Sequence, residues 1–245
     1  MDTLLEADLY RQKGFFDPNI LRNPIKVTVV GAGALGSYIV DILASIGIRD
    51  ITVYDFDNVE AHNIPNQVYK LSDVGRPKVE ALADHVKAKM GYTIKGKYKK
   101  LTSLKEEGID SGYLVVATDT MKTNLSLITE AIDSNIQKVV EAKMSVSNGQ
   151  IFFFEPQDPY QYKMWKSEWT DNVPDGVVAC TQRACAVNIH LICAIAAGCI
   201  MLDNIGEEFK RNYPPYYQTE VFANGSVVRS NWGLDDATPE QEINL

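Results

Sequence analysis

The glycine-rich stretch GAGALG, residues 31–36, constrains the fold of this chain more than any other stretch. It follows the apolar, β-branched run KVTVV at 26–30 and precedes a helical pattern. A strand, a tight glycine turn and a helix in this order form the phosphate-binding unit of many nucleotide-binding α/β proteins. Gly31 would permit the tight turn, Gly33 the approach of a phosphate, and Gly36 close packing of the helix on the strand. The alternative is a turn with a purely structural role.

Strand and helix patterns alternate along most of the chain. This alternation predicts an α/β, Rossmann-like fold with a mostly parallel sheet and flanking helices. A predicted hairpin with the turn Asn224-Gly225 gives an additional antiparallel C-terminal portion. Residues 157–179 mix polar and aromatic residues without a period and are predicted to be an irregular loop. Further strands are predicted at 50–57, 93–100, 113–119, 137–144 and 149–156, and further helices at 77–90, 122–134 and 184–202.

The composition indicates one large globular domain. The chain has 245 residues, of which 45% are hydrophobic and 23% charged, which is enough to bury a sizeable core. We predict an N-terminal helical arm at 1–24, one domain at 25–233 and a flexible tail at 234–245. Within the domain, a crossover loop is expected at about 157–183. A net charge of −8 argues against nucleic acid as a partner, because such binding usually needs clustered basic residues.

Two segments bear on location. The N-terminal residues 1–16 carry acids where an export signal would carry basic residues, and they contain no long apolar run. The apolar stretch 184–202 is long enough to suggest a membrane span, but Asn188 and His190 interrupt it. We therefore predict a buried helix rather than a span. No membrane association and a cytoplasmic location are expected.

The cysteines cluster near the C-terminal third of the chain, and none forms a C-x-x-C pair. That spacing suits neither a zinc site nor a disulfide framework, so no zinc is expected and the four residues are predicted to be thiols. They are Cys180, Cys185, Cys193 and Cys199.

The stretch YDFDNVEAHNIPNQ, residues 54–67, is unusually rich in acids and amides. Asp55 lies near the end of the second predicted strand, 24 residues after Gly31, where a carboxylate can accept hydrogen bonds from ribose hydroxyls. Asp57 either supports this loop or contacts a substrate. Up to this point NAD and ATP fit equally well. A dehydrogenase chain would usually enter a helix here, whereas this chain continues with three asparagines and a glutamine.

These motifs together resemble the ThiF/MoeB/HesA family, the E1-like enzymes that activate ubiquitin-like proteins. The matching pieces are GAGALGS, YDFDNVEAHN, the Asn63 to Gln67 spacing, DVGRPK and VVATD, in the family's order. They span residues 27–119, and the Cys180 region with its following helix extends the match to about residue 200. The length resembles a minimal E1, of the sort found in bacteria or phages. The domain at 25–233 is then expected to be a ThiF-like adenylation domain.

The resemblance implies ATP-dependent adenylation of a C-terminal glycine carboxylate, with pyrophosphate as the second product. It implies that Asp55 binds ribose and that Asn63 lies near the triphosphate, while Gln67 closes that motif. Lys78 corresponds to the phosphate-binding lysine and Asp119 to the acid that holds Mg²⁺. A reaction between two anions needs cations, metal and amide donors, which explains the amide-rich stretch.

Each of these residues also has a structural interpretation. Asp55 would cap a turn, and Asn63 and Gln67 would satisfy backbone groups in a turn. Lys78 would be a solvated lysine on a helix. Asp119 would be the N-cap of the following helix, a role compatible with metal binding.

Two positions depart from the family pattern. The family usually has Arg where this chain has Asn66 and often has Arg where it has Asn124. Arg76 is either a compensating cation or a surface residue. The family also has an N-terminal Arg that reaches into the partner subunit's site; Arg11 is the candidate here and Arg22 its rival. This implies a homodimer.

The resemblance also suggests a sulfur nucleophile. Cys180 precedes the long helix, near the place where some members carry a transferring cysteine. Its alternative is an inert thiol, and Cys185, Cys193 and Cys199 are predicted to be core residues. The expected partner is a ubiquitin-like or sulfur-carrier protein with a C-terminal glycine, and an E2-like protein is a further candidate. The sequence leaves open sulfur transfer, protein conjugation and peptide modification.

Three other functions stay open at this stage. An NAD-dependent oxidoreductase shares the glycine motif and Asp55 but leaves Lys78, Asp119 and the amides unexplained. An inactive E1-like subunit would only bind a ubiquitin-like partner. A relative acting on tRNA or a small carboxylate is the third.

Overall fold

A single mixed β-sheet forms the centre of the computed structural model, which describes residues 9–12, 25–144, 148–169, 186–205, 218–222 and 224–230. Most of the predicted N-terminal arm and the whole predicted tail lie outside these residues, so the division into arm, domain and tail stays a prediction. The strands are β1 Lys26–Val30, β2 Asp50–Asp55, β3 Lys95–Tyr98, β4 Ser111–Val116, β5 Asn135–Met144, β6 Asn148–Phe154, β7 Gln218–Phe222 and β8 Val227–Ser230.

The sheet has the order β3-β2-β1-β4-β5-β6-β7-β8. Strands β1 to β5 run parallel to one another, whereas β6, β7 and β8 pair in antiparallel fashion. The predicted Rossmann-like fold with an antiparallel C-terminal portion is confirmed. The predicted turn closes the last hairpin: Gly225 has φ +86° and donates its N–H to the Phe222 carbonyl at 2.9 Å.

Helices cover both faces of the sheet. They are α1 Ala34–Ser45, α2 Lys78–Met90, α3 Met121–Glu130, α4 Pro159–Ser167 and α5 Ala186–Asp203, with short 3-10 turns at Tyr10–Gln12, Ala61–Asn66, Leu71–Asp73 and Ala131–Asp133. Consecutive strand residues enter different cores: Val29 and Val140 pack with α1, α2 and α5, while Val30 and Val139 pack with α3 and α4. This is the two-residue alternation that side chains of a strand must follow.

The prediction of an irregular loop at 157–179 was wrong for its first part. Residues Pro159–Ser167 form α4 because Asp158 is an N-cap, whose carboxylate accepts the N–H groups of Tyr160 and Gln161 at 2.9 and 3.1 Å. Pro159 occupies the first turn, where its missing N–H costs nothing. The helix buries Trp165 and Gln161. Residues 170–183 of the predicted crossover loop lie outside the described residues.

The apolar stretch near the C-terminus is a packed helix, as predicted. In α5, Ile189, Ile192 and Cys193 are fully buried, and Cys199 is nearly so. Cys193 and Cys199 are therefore core residues, as predicted, and burial raises the pKa of both thiols. Cys185 lies outside the described residues. None of the described helices is long and apolar enough to cross a membrane.

Candidate functional site

A cavity of about 450 Å³ opens at the carboxyl ends of the central parallel strands. In open α/β sheets ligands bind at this edge. The cavity extends from residues that follow β2 and β3 to residues of β5 and β6. It brings together ten of the residues singled out from the sequence: Gly31, Gly33, Asp55, Asp57, Asn63, Asn66, Gln67, Lys78, Asp119 and Asn124.

The three glycines of the loop have three different surroundings. Gly31 has φ +97°, and a Cβ built on it would lie 2.6 Å from the Ala117 carbonyl oxygen. A Cβ on Gly36 would overlap the Gly31 carbonyl, so helix and loop can meet only with glycine there. A Cβ on Gly33 would meet nothing within 4 Å. Gly31 and Gly36 thus shape the turn, while the space at Gly33, at the start of α1, is open to a ligand.

Asp55 ties the glycine loop to the end of β2. Its Oδ2 accepts the Ala32 N–H at 2.6 Å and its Oδ1 accepts the Asp57 N–H at 2.8 Å. Burial raises the pKa of this carboxyl, and the two N–H groups oppose that rise. The turn-supporting interpretation is therefore observed. Because an ionised carboxylate has about four acceptor sites, acceptor capacity toward the cavity remains.

Lys78 is a buried cation. Only 9% of its side chain is exposed, and its Nζ lies 3.0 Å from Asp57 Oδ2. Its backbone N–H also donates to the Asp57 carbonyl at 3.0 Å. The interpretation of Lys78 as a solvated helix lysine was wrong. Asp57, which is about half exposed, supports the lysine and the loop together.

The two predicted amides keep unused hydrogen-bonding capacity. Asn63 Oδ1 accepts the Glu60 N–H at 2.9 Å at the start of a 3-10 turn, and no described residue accepts a hydrogen bond from its amide nitrogen. Gln67 Oε1 is buried and has no hydrogen-bond partner among the described residues. Both side chains line the cavity, so they support the loop and present polar atoms to a ligand.

Asp119 is exposed at the mouth of the cavity, just after β4. The N-cap of α3 is Thr120 and not Asp119, so the capping interpretation was wrong. Within the described part of the chain, no group of three or more His, Cys, Asp or Glu is arranged to hold a metal ion. A magnesium ion at Asp119 would therefore depend on phosphate and water oxygens for its other ligands, which is common for Mg²⁺.

Arg11 and Arg76 do not line the cavity. Arg11 is exposed in a 3-10 turn that Gln12 fastens to α1 by a 2.8 Å hydrogen bond to the Ser45 carbonyl. Arg76 pairs with Asp73 and Asp84 on the surface, so it does not compensate for a missing cation. Cys180 and Arg22 lie outside the described residues.

A buried polar network at β5 was missed by the sequence reasoning. Glu141 is fully buried, accepts the Trp165 indole N–H at 2.8 Å and pairs with Lys143 at 3.2 Å. Asn124 is buried beside it and donates to Glu141 Oε1 at 3.4 Å and to the Thr118 carbonyl at 3.3 Å. Burial raises the pKa of Glu141, and Lys143 with the indole N–H opposes that rise. The signal was the charged pair in VVEAKM, inside a predicted buried strand.

Cations line both ends of the cavity. At the β5 end, the Lys143 ammonium lies 3.9 Å from the centre of a Trp169 ring. At the β3 end, Lys99 and Lys100 line the cavity, and the Lys100 ammonium lies 5.5 Å from the centre of the Phe56 ring. The cavity is therefore suited to an extended anionic ligand.

The fold and the glycine loop place the chain among Rossmann-like α/β proteins. A model of the ThiF family matches residues 19–220, and the chain belongs to the ThiF family. The resemblance noted in the sequence is thereby confirmed.

Curated relatives match the chain over short stretches. The NEDD8-activating enzyme E1 catalytic subunit of Arabidopsis thaliana is 33% identical over 92 residues, which is 34% of this chain and 20% of the relative. The molybdopterin-synthase adenylyltransferase of Escherichia coli strain K12 is 38% identical over 74 residues, 29% and 30% of the two chains. The SAMP-activating enzyme E1 of Haloferax volcanii is 43% identical over 63 residues, 25% and 23% of the two. The matches thus span less than a third of each relative.

Solved structures match over most of the chain. Escherichia coli MccB with ATP superposes with a TM-score of 0.64 at 16% identity and covers 89% of this chain and 66% of MccB. PaaA superposes with a TM-score of 0.62 at 18% identity, covering 89% and 63%. At these identities the likeness concerns the fold.

Proposed function

We propose that this chain is an ATP-dependent adenylating enzyme that activates the C-terminal glycine carboxylate of a ubiquitin-like or sulfur-carrier protein. One observation carries the proposal. The open space at Gly33, the buried Lys78, the Asn63 amide and the Asp119 carboxylate all line one cavity. Relatives that are named activating enzymes and adenylyltransferases support the same reaction class.

The chemistry requires charge neutralisation rather than a covalent step on the protein. An oxygen of the glycine carboxylate attacks the α-phosphorus of ATP. The bond from that phosphorus to the oxygen bridging to the β-phosphate breaks. Pyrophosphate leaves, and the glycine carries AMP as an acyl-adenylate. Attacking and leaving groups are both anions, so positioned cations and N–H donors lower the barrier.

Each residue then has a role consistent with its place. Asp55 accepts the ribose hydroxyls, and the backbone at Gly33 with the α1 N-terminus receives phosphate oxygens. The Lys78 ammonium and the Asn63 amide nitrogen donate to the triphosphate. Asp119 would hold Mg²⁺, which supplies positive charge between the phosphates when bound.

A transfer step can follow adenylation. The Cys180 thiolate would attack the acyl carbon, form a thioester and release AMP, while the thiol proton passes to solvent. Arg11, in a homodimer, would complete the partner subunit's site, and an E2-like protein is a candidate recipient. In this proposal Cys180→Ala abolishes any thiol-labile adduct with the carrier and leaves adenylation intact. A thiol-labile adduct that persists in Cys180→Ala would contradict the transfer of the acyl group to Cys180.

The first test is calorimetric binding of ATP·Mg²⁺ and of NAD to the wild type and to Asp119→Ala. We expect ATP binding that requires Mg²⁺ and weakens about 10-fold or more without Asp119, and no NAD binding. Asp133→Ala, which removes an exposed carboxylate outside the cavity, should match the wild type. NAD binding indifferent to Mg²⁺ would instead favour an oxidoreductase.

A second measurement separates an active enzyme from an inactive subunit. We expect ATP–pyrophosphate exchange that depends on an added carrier ending in glycine. Binding of such a carrier without any exchange would favour the inactive E1-like subunit and contradict the proposed activity.

A further inference from the structure

The cavity has two chemically different ends. At the β2–β3 end, Asp55, Phe56 and Lys100 offer a carboxylate, an aromatic ring and a cation. Asp119 stands near the middle, after β4. At the other end, β5 contributes Lys143, and β6 contributes Asn148 and Gln150. A nucleotide with its ribose at Asp55 and its phosphates at Gly33 therefore leaves the β5–β6 end for the second substrate.

The Lys143 side chain is held on three sides. Its ammonium lies 3.2 Å from Glu141 Oε2, 3.9 Å from the centre of a Trp169 ring and 5.2 Å from the centre of the Phe152 ring. Its side chain is 20% exposed, and the residue lines the cavity. An ammonium has three N–H donors, and one described carboxylate pairs with it. Capacity remains for an incoming anion.

Burying the Glu141 carboxylate at this position costs desolvation free energy. It is fully buried on the same face of β5 as Lys143, two residues away, and it accepts from the Trp165 indole and from Asn124. Buried ion pairs are often replaceable by apolar residues without loss of stability. The pair is therefore explained less by stability than by what it does to the lysine, because it fixes the ammonium at the wall of the cavity.

We propose that Lys143 binds the carboxylate that attacks ATP, at the C-terminus of the polypeptide substrate, and that Glu141 acts as its positioning residue. This inference rests on the proposed adenylation. The ammonium offsets the negative charge of the carboxylate as it approaches the α-phosphate. Once the acyl-adenylate forms, the carboxylate charge is gone and the attraction to Lys143 falls. Lys143 exchanges no proton or bond in this step.

The test uses full-length protein, the non-hydrolysable nucleotide α,β-methylene-ATP, and a ten-residue peptide that ends in Gly-Gly. The peptide is compared with its C-terminal amide, which lacks the negative charge. Peptide binding is measured by calorimetry with nucleotide present. We expect the wild type to prefer the acid over the amide, and Lys143→Met to lose about 10- to 100-fold of affinity for the acid alone. Nucleotide affinity should stay within about twofold.

Further variants serve as controls for the effect of Lys143→Met. Lys138→Met removes a lysine of the same strand that is 15% exposed, pairs with Glu155 and does not line the cavity; it should match the wild type. Because Lys143→Met leaves Glu141 buried without its cation, the double variant Glu141→Gln/Lys143→Met serves if the single variant unfolds. It should show the same loss of preference for the acid. Glu141→Gln alone should weaken the acid and spare the amide, which a purely structural role would not do.

Each outcome decides the inference. An acid-to-amide ratio that is unchanged in Lys143→Met or in the double variant overturns it. Equal or absent binding of acid and amide by nucleotide-loaded wild type also overturns it. A loss of nucleotide affinity in Lys143→Met would assign Lys143 to the phosphates instead. A wild type that binds no nucleotide contradicts the proposed function itself, so the two failures are distinguishable.

Discussion

The two sides of the cavity are built in different ways. On the side formed by residues 25–120, the backbone shapes the wall of the cavity through the glycine loop, the α1 N-terminus and the N–H groups that fix Asp55. The side chains of Lys78 and Asn63 are added to this frame. On the side formed by residues 135–169, they are made by side chains, with Glu141, Lys143 and two tryptophans in one network. Backbone sites tolerate few substitutions. Side-chain sites are easier to alter, and so are suited to differences in substrate.

The largest effect is expected from Gly36→Ala, which tests the backbone side. The added Cβ would overlap the Gly31 carbonyl, so helix and loop must separate, at a cost of about 3 kcal/mol or more in the free energy of unfolding. Gly33→Ala is the matched control, since its Cβ meets nothing within 4 Å. The Gly33→Ala variant should have the same thermal unfolding midpoint as the wild type but a lower affinity for ATP. Equal stability of both variants by calorimetric unfolding would show that this loop is not rigid.

Next in size is the effect of Trp165→Phe, which tests the side-chain network. Removing the indole N–H takes a hydrogen bond from a buried carboxylate, and we expect a loss of about 1–3 kcal/mol in urea unfolding. Trp169→Phe provides the comparison, because its indole nitrogen has no hydrogen-bond partner among the described residues. If the two variants lose equal stability, the hydrogen bond to Glu141 contributes nothing measurable.

A smaller effect is expected in the dependence of stability on pH. Burial raises the folded-state pKa of Glu141 above its usual value of 4.5. A group with a raised pKa contributes stability below its unfolded pKa, and this is lost as pH rises through the folded pKa. Glu141→Gln should therefore show a shallower decline of stability as pH rises above about 4.5. Denaturant unfolding at a series of pH values measures this.

Glu130→Gln is a control of the opposite sign. Burial opposes a low pKa for Glu130, but hydrogen bonds from the Ser103 hydroxyl and the Leu104 N–H outweigh it and lower the pKa. Its contribution is present above the unfolded pKa and is lost as pH falls through the folded pKa. The Glu130→Gln variant should therefore lose less stability than the wild type as pH falls below the unfolded-state pKa of Glu130. Parallel profiles for the wild type and Glu141→Gln would contradict the assignment of a raised pKa.

The smallest effect is expected at the hairpin turn. Asn224 Oδ1 accepts the Ser226 N–H at 3.0 Å and its hydroxyl at 2.7 Å, so Asn224→Ala should cost about 0.5–1.5 kcal/mol in thermal unfolding. Nucleotide binding should not change, because the turn does not line the cavity. A change in ATP affinity would show that the antiparallel strands are energetically coupled to the side of the cavity formed by residues 25–120.

The backbone side was predictable from the sequence because its requirements are local. A glycine loop between a strand and a helix has a fixed geometry, and Asp55 follows at the end of the next strand. The places of Asn63 and Lys78 came from the resemblance to the ThiF/MoeB/HesA family. The side-chain network was not predictable in this way. Asn124, Glu141 and Trp165 come from α3, β5 and α4, and only the packed sheet brings them together. Helix α4 was missed because Asp158 could be recognised as its N-cap only in the structure, where Pro159 lies in the first helical turn.

The short edge strand β3 also bears on how the protein behaves in concentrated solution. Its four residues are all exposed, it pairs with β2 in the described sheet, and it carries Lys95 and Lys97. An unpaired strand edge is a template on which another chain can add a strand and start an aggregate. Charged side chains on an edge strand, lysine above all, disfavour such pairing. The lysines of β3 therefore disfavour fibrous self-association of a chain whose central strands are strongly apolar.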